Sequence, residues 1–352
     1  MAVTQESKWR EVEVEAEPVA TDNELHALLD ARRFDLHNPP PPTVPIFTIR
    51  DMMVATAGNI TVVQAPVKAG KTALMGAMIA AALNPEAGED MTLGVRSPGA
   101  GGGAIIHFDC EQSPDDHHAV ICNALRRAGL GNPPAHLRSY CLTDVKTPLR
   151  RAALHAELER AGGVFAVFLD GVADLTFSVN DEAEAIAFTD ELHALAIEYR
   201  CAMITVLHEN PGSEIGKTRG HLGSQLERKQ FGCLRMAKDG DEITTVWTTN
   251  SRKASIPKSQ GLRFAYDKQA GLHLPVESAN DARSVAAGDA LVAQAASLFH
   301  TAPKGGLMWH ELRDRIMTAA KIGPSGAIKR MDKMHAAGII QKNLLHKYEL
   351  HA

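Results

Sequence analysis

Residues 59–72 read NITVVQAPVKAGKT and contain the clearest local pattern in the chain. Its first six residues form a short apolar run rich in β-branched side chains, which predicts a strand. Residues 72–83 follow and are rich in Ala, Met and Leu, which predicts a helix. A polar turn containing Gly70 lies between the two. The segment therefore predicts a strand, a tight turn and a helix in succession.

The same alternation of strand and helix recurs along the chain. Apolar runs at residues 104–108, 164–169 and 202–207 predict strands, and helical patterns lie at 117–128 and 183–199. We therefore expect an α/β fold with a mostly parallel sheet covered by helices on both faces.

Two further segments carry weaker patterns. Residues 243–248 alternate and are rich in Thr, which predicts an antiparallel strand added at an edge of the sheet. The glycine-rich residues 88–103 predict a mobile loop between two strands.

Composition divides the chain into segments. We expect residues 1–43 to be an acidic, disordered tail with a short helix at 24–33 and a proline spacer at 39–42. Residues 44–276 form the α/β domain, 277–284 a polar linker, and 285–352 a small second domain.

The formal net charge of -5 excludes a chain that is polycationic throughout. None of the five cysteines forms a CxxC pair, and no apolar run is long enough to cross a membrane. These features predict a cytoplasmic protein without a membrane segment.

The turn after the first strand has the spacing of a phosphate-binding loop. In such a loop backbone N–H groups surround the phosphates, and we expect Lys71 to reach the β- and γ-phosphates of ATP and the Thr72 hydroxyl to bind Mg²⁺. A chance Gly-Lys-Thr at a helix start is the alternative. The predicted binding residues are Ala65, Pro66, Val67, Lys68, Ala69, Gly70, Lys71 and Thr72.

One position departs from the usual GxxxxGK[ST] pattern, because Ala65 stands where the first glycine is expected. If that position needs a positive φ, alanine costs on the order of 1 kcal/mol. If it does not, nothing is lost.

Carboxylates follow two of the predicted strands. Asp170 ends the strand at 164–169 and is placed to hold the water shell of Mg²⁺, although an acid that merely caps the strand is the alternative. Glu111, just past the strand at 104–108, is the candidate to activate the attacking water. Asp109 is its rival, and by strand alternation the two share a face, so one of them can orient the other. We favour Glu111 because it lies beyond the carboxyl end of the strand.

The chain resembles the RecA/DnaB-like ATPases, and more narrowly the RepA-type helicase group of plasmids, phages and mobile elements. The resemblance covers about residues 45–274. The motifs that carry it are the P-loop, Glu111-Gln112-Ser113 after a strand, Asp170-Gly171-Val172-Ala173-Asp174 after the next, and Val206-Leu207-His208.

The resemblance implies roles for these residues and an assembly. Glu111 matches the catalytic glutamate, Asp170 the Walker B aspartate, and His208 the polar sensor that ends the next strand. Such ATPases usually form rings, here a homo-hexamer, in which a basic finger reaches the γ-phosphate of the next subunit. Arg252 and Lys253 match that finger. A strand-end histidine and a solvated basic turn are the plain alternatives for His208 and Arg252.

The glycine-rich, basic residues 209–224 predict a mobile loop that contacts a phosphate backbone through Lys217, Arg219 and His221. The resemblance places the loop that binds single-stranded DNA in a central channel here. An ordinary flexible loop is the alternative, and the absence of Phe, Tyr and Trp argues against base stacking.

The second domain predicts a winged helix, with helices at 285–299, 309–319 and 325–337 and strands at 339–342 and 346–350. From Lys304 to Lys347 there are nine Lys/Arg and three acids. We expect Lys329, Arg330 and Lys333 to lie on an exposed face of the third helix and to contact DNA, although many winged helices bind protein instead.

Together these features predict an ATP- and Mg²⁺-dependent motor of helicase type that acts on DNA. The first rival is a DNA-bound ATP switch, regulatory or partitioning, that does not translocate. The second is a P-loop kinase for a small molecule, which the absence of an arginine-rich lid makes the weakest of the three.

Overall fold

A computed structural model describes residues 21–209, 218, 220–239, 242–253, 255–276, 291–303, 305–336, 338–343 and 346–350. The chain divides into two compact units, Met1–Thr43 and Val44–Ala352. In the first unit, helix α1 (Asp22–Arg32) begins after Thr21, whose side chain and that of Glu24 cap each other's backbone N–H groups. The predicted short helix is therefore present within a segment whose composition predicts disorder.

The second unit is a mixed α/β structure. Its strands up to residue 276 are β1 (Pro45–Ile49), β2 (Met52–Thr56), β3 (Asn59–Ala65), β4 (Val95–Arg96), β5 (Ala104–Asp109), β6 (Leu137–Cys141), β7 (Val164–Asp170), β8 (Ala202–His208), β9 (Gly232–Lys238), β10 (Thr244–Thr249), β11 (Leu262–Asp267) and β12 (Leu272–Pro275). Its helices in this range are α2 (Lys71–Leu83), α3 (Glu89–Thr92), α4 (Pro114–Arg127), α5 (Thr147–Ala161), α6 (Glu182–Glu198) and α7 (Gly220–Lys229). Among the described residues, no helix has the length and apolar character needed to cross a bilayer.

Nine of the described strands form the central sheet, in the order β12-β11-β10-β9-β3-β8-β7-β5-β6. Pairing is parallel from β9 to β6 and antiparallel from β9 to β12. The predicted mostly parallel sheet is confirmed. The prediction of an edge strand at 243–248 is wrong in one respect: β10 is antiparallel but internal, because β11 and β12 extend the sheet beyond it.

Helices pack on both faces of this sheet, so its strands are buried on both sides. Side chains alternate along β3, where Val63 joins one core together with α2 and α4. Val62 joins the opposite core, which contains side chains of α5, α6 and α7. This double burial explains the continuous apolar runs that predicted the strands.

Residues 88–103 are more ordered than predicted. They contain the one-turn helix α3 and the strand β4, which pairs with β1 through Ile49 and Val95. Leu93 and Val95 are buried in the core that also contains α2. The glycines that predicted a mobile loop therefore lie around a short segment that apolar burial holds in place.

The C-terminal residues form a helical module with a hairpin. Its described elements are a helix α8 (residues 291–299), α9 (Trp309–Ala320), α10 (Pro324–Ala336), β13 (Ile340–Lys342) and β14 (Tyr348–Leu350). Strands β13 and β14 are antiparallel, and Leu307 bridges to Tyr348. The module has a core of its own. The predicted linker at 277–284 and the predicted start of the first helix lie outside the described residues.

Candidate active site

The predicted phosphate-binding loop connects β3 to α2. Ala65 is the last residue of β3 and is fully buried. The positive φ angles of the loop occur instead at Lys68, with φ 62°, and at Gly70, with φ 85°. Alanine in place of the first glycine therefore introduces no backbone strain, because an extended residue tolerates a Cβ.

Side chains from strands β10 and β11 contact this loop. A Cβ on Gly70 would lie 3.0 Å from the Phe264 ring, so only glycine combines this φ with this contact. The Thr244 hydroxyl donates to the Ala69 carbonyl at 3.1 Å. No side chain caps the amino end of α2. Its first N–H groups are thus available to an anion, which suits a phosphate.

Three of the predicted site residues form one chain of polar contacts. Lys71 Nζ lies 3.3 Å from His208 Nδ1, and His208 Nε2 lies 3.1 Å from a Glu111 carboxylate oxygen. Because the lysine ammonium can only donate, the neutral imidazole accepts at Nδ1 and donates its Nε2 hydrogen to Glu111. The parallel register of β3 and β8, which places Ala65 opposite His208, creates this arrangement.

Asp170 and Glu111 meet at the carboxyl end of β7. Asp170 is buried, and its Oδ2 lies 3.4 Å from the Gln112 amide nitrogen. Gly171 follows with φ 84°, and a Cβ there would lie 2.7 Å from Glu111 Cγ. Glycine at this position therefore lets Glu111 lie against the end of β7.

Carboxylates outnumber cations in this cluster, and the pKa values of its groups are shifted. Burial, followed by the charges of Glu111 and Asp109, raises the pKa of Asp170 to about 7. The hydrogen bond from His208 lowers the pKa of Glu111 below its ordinary value. Burial lowers the pKa of Lys71, although the charges of Glu111 and Asp170 oppose this change.

A divalent cation fits this site, because it would relieve the repulsion among the carboxylates. The residues that would hold it are Asp170, at the end of β7, and Thr72, in the first turn of α2.

Asp109, the rival of Glu111, has different surroundings. It is fully buried, and its Oδ1 accepts the backbone N–H groups of Glu111 at 3.1 Å and Gln112 at 3.0 Å. The Glu111 side chain is 30% exposed. Asp109 thus orients the backbone that carries Glu111, while Glu111 is the carboxylate that water can reach.

A possible metal-ligand group lies beneath the site. Ligand atoms of His107, Asp109 and Asp170 all lie within 4.8 Å of one another. The Asp109 oxygens already accept three hydrogen bonds, two from backbone N–H groups and one from His117. We therefore interpret this group as part of a hydrogen-bonded cluster.

A cleft of about 180 Å³ lies beside Thr72, between α2, α4 and the β11–β12 hairpin. Tyr266, Leu272 and His273 line one side of it. Arg127 holds the hairpin in place by donating to the His273 carbonyl at 2.7 Å. These residues could not be identified from the sequence, because the hairpin follows the last predicted strand of the sheet and carries no motif.

Arg252, the predicted finger, lies far from the phosphate loop of its own chain. Strand β10 ends with Thr249 opposite Cys233, near the start of β9, so Arg252 follows at the amino edge of the parallel strands. Its guanidinium donates to the carbonyls of Lys229 and Gln230, each at 3.0 Å, at the end of α7. Arg252 therefore cannot act on the site formed by Lys71 of the same chain.

The predicted nucleic-acid residues are only partly described. Lys217 and Arg219 lie outside the described residues, but Glu209 and Thr218 form an antiparallel bridge that joins the two ends of the 210–217 segment. The predicted loop at 209–224 extends too far, because α7 already begins at Gly220, so His221 lies on this helix, where it is exposed. On α10, Lys329 and Lys333 are exposed as predicted, whereas Arg330 is half-buried, so the prediction of an exposed face is wrong for this residue.

No protein-family model matches the sequence, and no curated protein matches it either.

Proposed function

We propose that this protein is an ATP-hydrolysing, DNA-associated RecA-fold motor, of the replicative helicase type that mobile elements use. The observation that carries the proposal is the contact chain from Lys71 through His208 to Glu111, beside Asp170 and at the amino end of α2. It brings a phosphate-binding cation, a sensor and a candidate general base together at one edge of the sheet.

The proposed reaction assigns a task to each group. The N–H groups of the loop and α2 bind the phosphates, and Lys71 neutralises charge on the β- and γ-phosphates. Glu111 accepts a proton from the attacking water, with His208 Nε2–H holding its carboxylate in place. Thr72 and Asp170 would hold Mg²⁺, which would supply charge neutralisation at the phosphate oxygens.

His208 also links nucleotide state to the rest of the chain in this proposal. A γ-phosphate competes with His208 Nδ1 for the Lys71 ammonium, so nucleotide binding changes what holds His208. The residue after it, Glu209, is 6% exposed in its side chain and pairs with Arg235 at 2.8 Å. Glu209 also closes the base of the 210–217 segment. This continuity supports a DNA-contacting loop that responds to ATP.

The strand order supports the RecA-like part of the proposal. Strand β3, which carries the phosphate loop, is central, and β8 separates it from β7 with Asp170. Three helices followed by a hairpin support a winged helix at the C-terminus. A homo-hexameric ring, single-stranded DNA in its central channel and a cytoplasmic location complete the proposal.

The experiment that tests it is ATPase activity with and without single-stranded DNA, for the wild-type protein and Lys71→Ala. We expect DNA-stimulated hydrolysis that Lys71→Ala abolishes, because the charge facing the β- and γ-phosphates is lost. A folded Lys71→Ala protein with unchanged ATPase activity would refute the phosphate site.

A DNA-bound ATP switch is the alternative, and the C-terminal module favours it. Winged helices are common in proteins that bind duplex DNA without moving along it. Displacement of a labelled strand from a forked duplex separates the two, since only a translocating ring combines hydrolysis with strand separation.

A further inference from the structure

A buried chain of hydrogen bonds beneath Glu111 is not used by the proposed reaction. His117 on α4 places Nδ1 3.2 Å from Asp109 Oδ2 and Nε2 3.2 Å from the Ser139 hydroxyl on β6. Ser139 in turn lies 2.9 Å from His107 Nδ1. The two imidazoles stack, with ring centroids 5.5 Å apart and planes 5° from parallel. Helix α4 and strands β5 and β6 are thereby joined by polar groups.

Asp109 connects this chain to Glu111. Its Oδ1 accepts the N–H groups of Glu111 and Gln112, and its Oδ2 accepts the His117 hydrogen bond. Burial works to raise the pKa of Asp109, but the bonds from His117 and from the two N–H groups outweigh it and lower the pKa. The carboxylate is therefore ionised, and each donor is needed to keep it buried.

The ionised Asp109 determines the tautomer of His117. A carboxylate only accepts, so His117 carries a hydrogen on Nδ1 and donates it to Asp109. The His117 side chain is 12% exposed and lies on a helix whose amino end is fixed by the Ser113 cap. It is thus a rigid donor held in a defined place.

We propose that His117 is a positioning residue for the general base, acting through Asp109 on the backbone turn that carries Glu111. The inference rests on the proposed role of Glu111. Small misplacements of a reacting group lower turnover strongly. Loss of the His117–Asp109 bond is therefore expected to lower kcat by about 10- to 100-fold. The KM for ATP is expected to stay the same, because the side-chain hydrogen bonds of His117 and Asp109 go to Ser139, Glu111 and Gln112 and to each other, not to the predicted phosphate loop.

The two nitrogens of His117 allow a matched test. In His117→Asn the amide nitrogen takes the place of Nδ1, so the bond to Asp109 is kept and the bond to Ser139 is lost. In His117→Gln the longer side chain reaches the place of Nε2, so the bond to Ser139 is kept and the bond to Asp109 is lost. The control is His118→Gln, because His118 is the exposed neighbour on the same helix.

We expect His117→Asn and the control to retain kcat within about threefold and His117→Gln to lose it, at unchanged KM. The measurements are steady-state ATPase kinetics and thermal unfolding of each variant. Wild-type protein without ATPase activity would reject the proposed function itself. Active wild-type protein with an equally active His117→Gln variant would overturn this inference alone. Equal losses in both His117 variants, matched by equal falls in Tm, would assign His117 a purely structural role and also overturn it.

Discussion

Glu111 and Asp109 lie two residues apart, yet their surroundings assign them different tasks. Asp109 is enclosed by hydrogen-bond donors, whereas Glu111 is partly exposed and bonded to His208. We expect Glu111→Gln to keep ATP binding and to lower turnover by about 10²–10⁴-fold, the usual contribution of a general base. Nucleotide-binding titrations and single-turnover hydrolysis measure the two effects separately.

Asp109→Asn is the matched comparison for this prediction. It replaces a carboxylate oxygen that accepts a hydrogen bond with an NH₂ group, which cannot accept one. A buried donor then loses its partner, so we expect the variant to be less stable as well as slower in turnover. Should Asp109→Asn leave Tm unchanged and remove hydrolysis while Glu111→Gln remains active, the general base has been assigned to the wrong carboxylate.

The raised pKa of Asp170 predicts that the stability of the nucleotide-free protein depends on pH. Its pKa is about 7 in the folded chain against 3.8 when unperturbed, so between these pH values the folded state holds a proton that the unfolded state has lost. The contribution of Asp170 to stability is therefore greatest below pH 3.8 and is lost as pH rises through 7.

The neutral variant Asp170→Asn lacks this dependence. We expect it to be more stable than the wild type above about pH 7, by on the order of 4 kcal/mol, and to lose that advantage toward about pH 4. Urea unfolding at several pH values without Mg²⁺ measures the difference. A stability difference that does not change with pH would show that the fold does not raise the pKa of the Asp170 carboxyl.

The β11–β12 hairpin is the element that completes the candidate nucleotide site. Its Tyr266 side chain lines the cleft beside Thr72. In the proposed function, the base of ATP would bind in this cleft. We expect Tyr266→Ala to raise the KM for ATP about tenfold at nearly unchanged kcat, since stacking of a base on an aromatic ring contributes ~1–3 kcal/mol.

Tyr266→Phe is the control for this prediction, because it keeps the ring and removes only the hydroxyl. It is expected to bind ATP like the wild type. Equal KM values for Tyr266→Ala and the wild type would mean that the base does not enter this cleft.

Local patterns predicted the elements whose formation depends on neighbouring residues. Helix α2 was expected at 72–83 and spans Lys71–Leu83, and β7 was expected at 164–169 and spans Val164–Asp170. Strand β4 was missed because its two residues become a strand only by pairing with β1, through Ile49 and Val95. Long-range pairing of this kind leaves no periodic signal in a short segment.

The same distinction applies to the site. Three site residues could be proposed because each lies at or just beyond the end of an apolar strand: Glu111, Asp170 and His208. Lys71 could be proposed because it starts a helix directly after the glycine of the loop. The contribution of His117 could not be proposed. Its bond to Asp109 depends on how α4 packs against β5 and β6, and a histidine within a helix carries no mark of that contact.

In the whole chain, the residues proposed for hydrolysis and the candidate DNA-binding residues of α10 lie in different parts of the sequence. Every residue proposed for hydrolysis lies before position 253, whereas Lys329 and Lys333 lie on α10, in a module with its own core. The predicted recognition surface and the ATPase site therefore belong to different cores, and contact at α10 need not depend on the nucleotide. The 210–217 segment differs, because its base is joined to β8 and so to His208.

The position of Arg252 allows a test of the proposed assembly. Within one chain it lies at the edge of the sheet opposite to the phosphate loop, with its guanidinium on the carbonyls at the end of α7. If Arg252 acts on a γ-phosphate as proposed, that phosphate belongs to a second copy of the chain. The proposed ring supplies the head-to-tail contact that this requires. Arg252→Ala and Lys71→Ala are each expected to be inactive alone, for different reasons.

Mixing the two variants tests this assembly. An equal mixture creates about a quarter of interfaces in which an intact Lys71 site faces an intact Arg252, so activity returns. The control replaces the Lys71→Ala partner with a protein that carries both substitutions, which supplies no intact Arg252 and so restores nothing. Native mass measurement confirms that the variants assemble. Assembled mixtures that stay inactive at every ratio would rule out a finger supplied in trans. Arg252 would then act by capping α7, a role that a fall in the Tm of Arg252→Ala would reveal, because two carbonyls at the end of that helix would lose their donor.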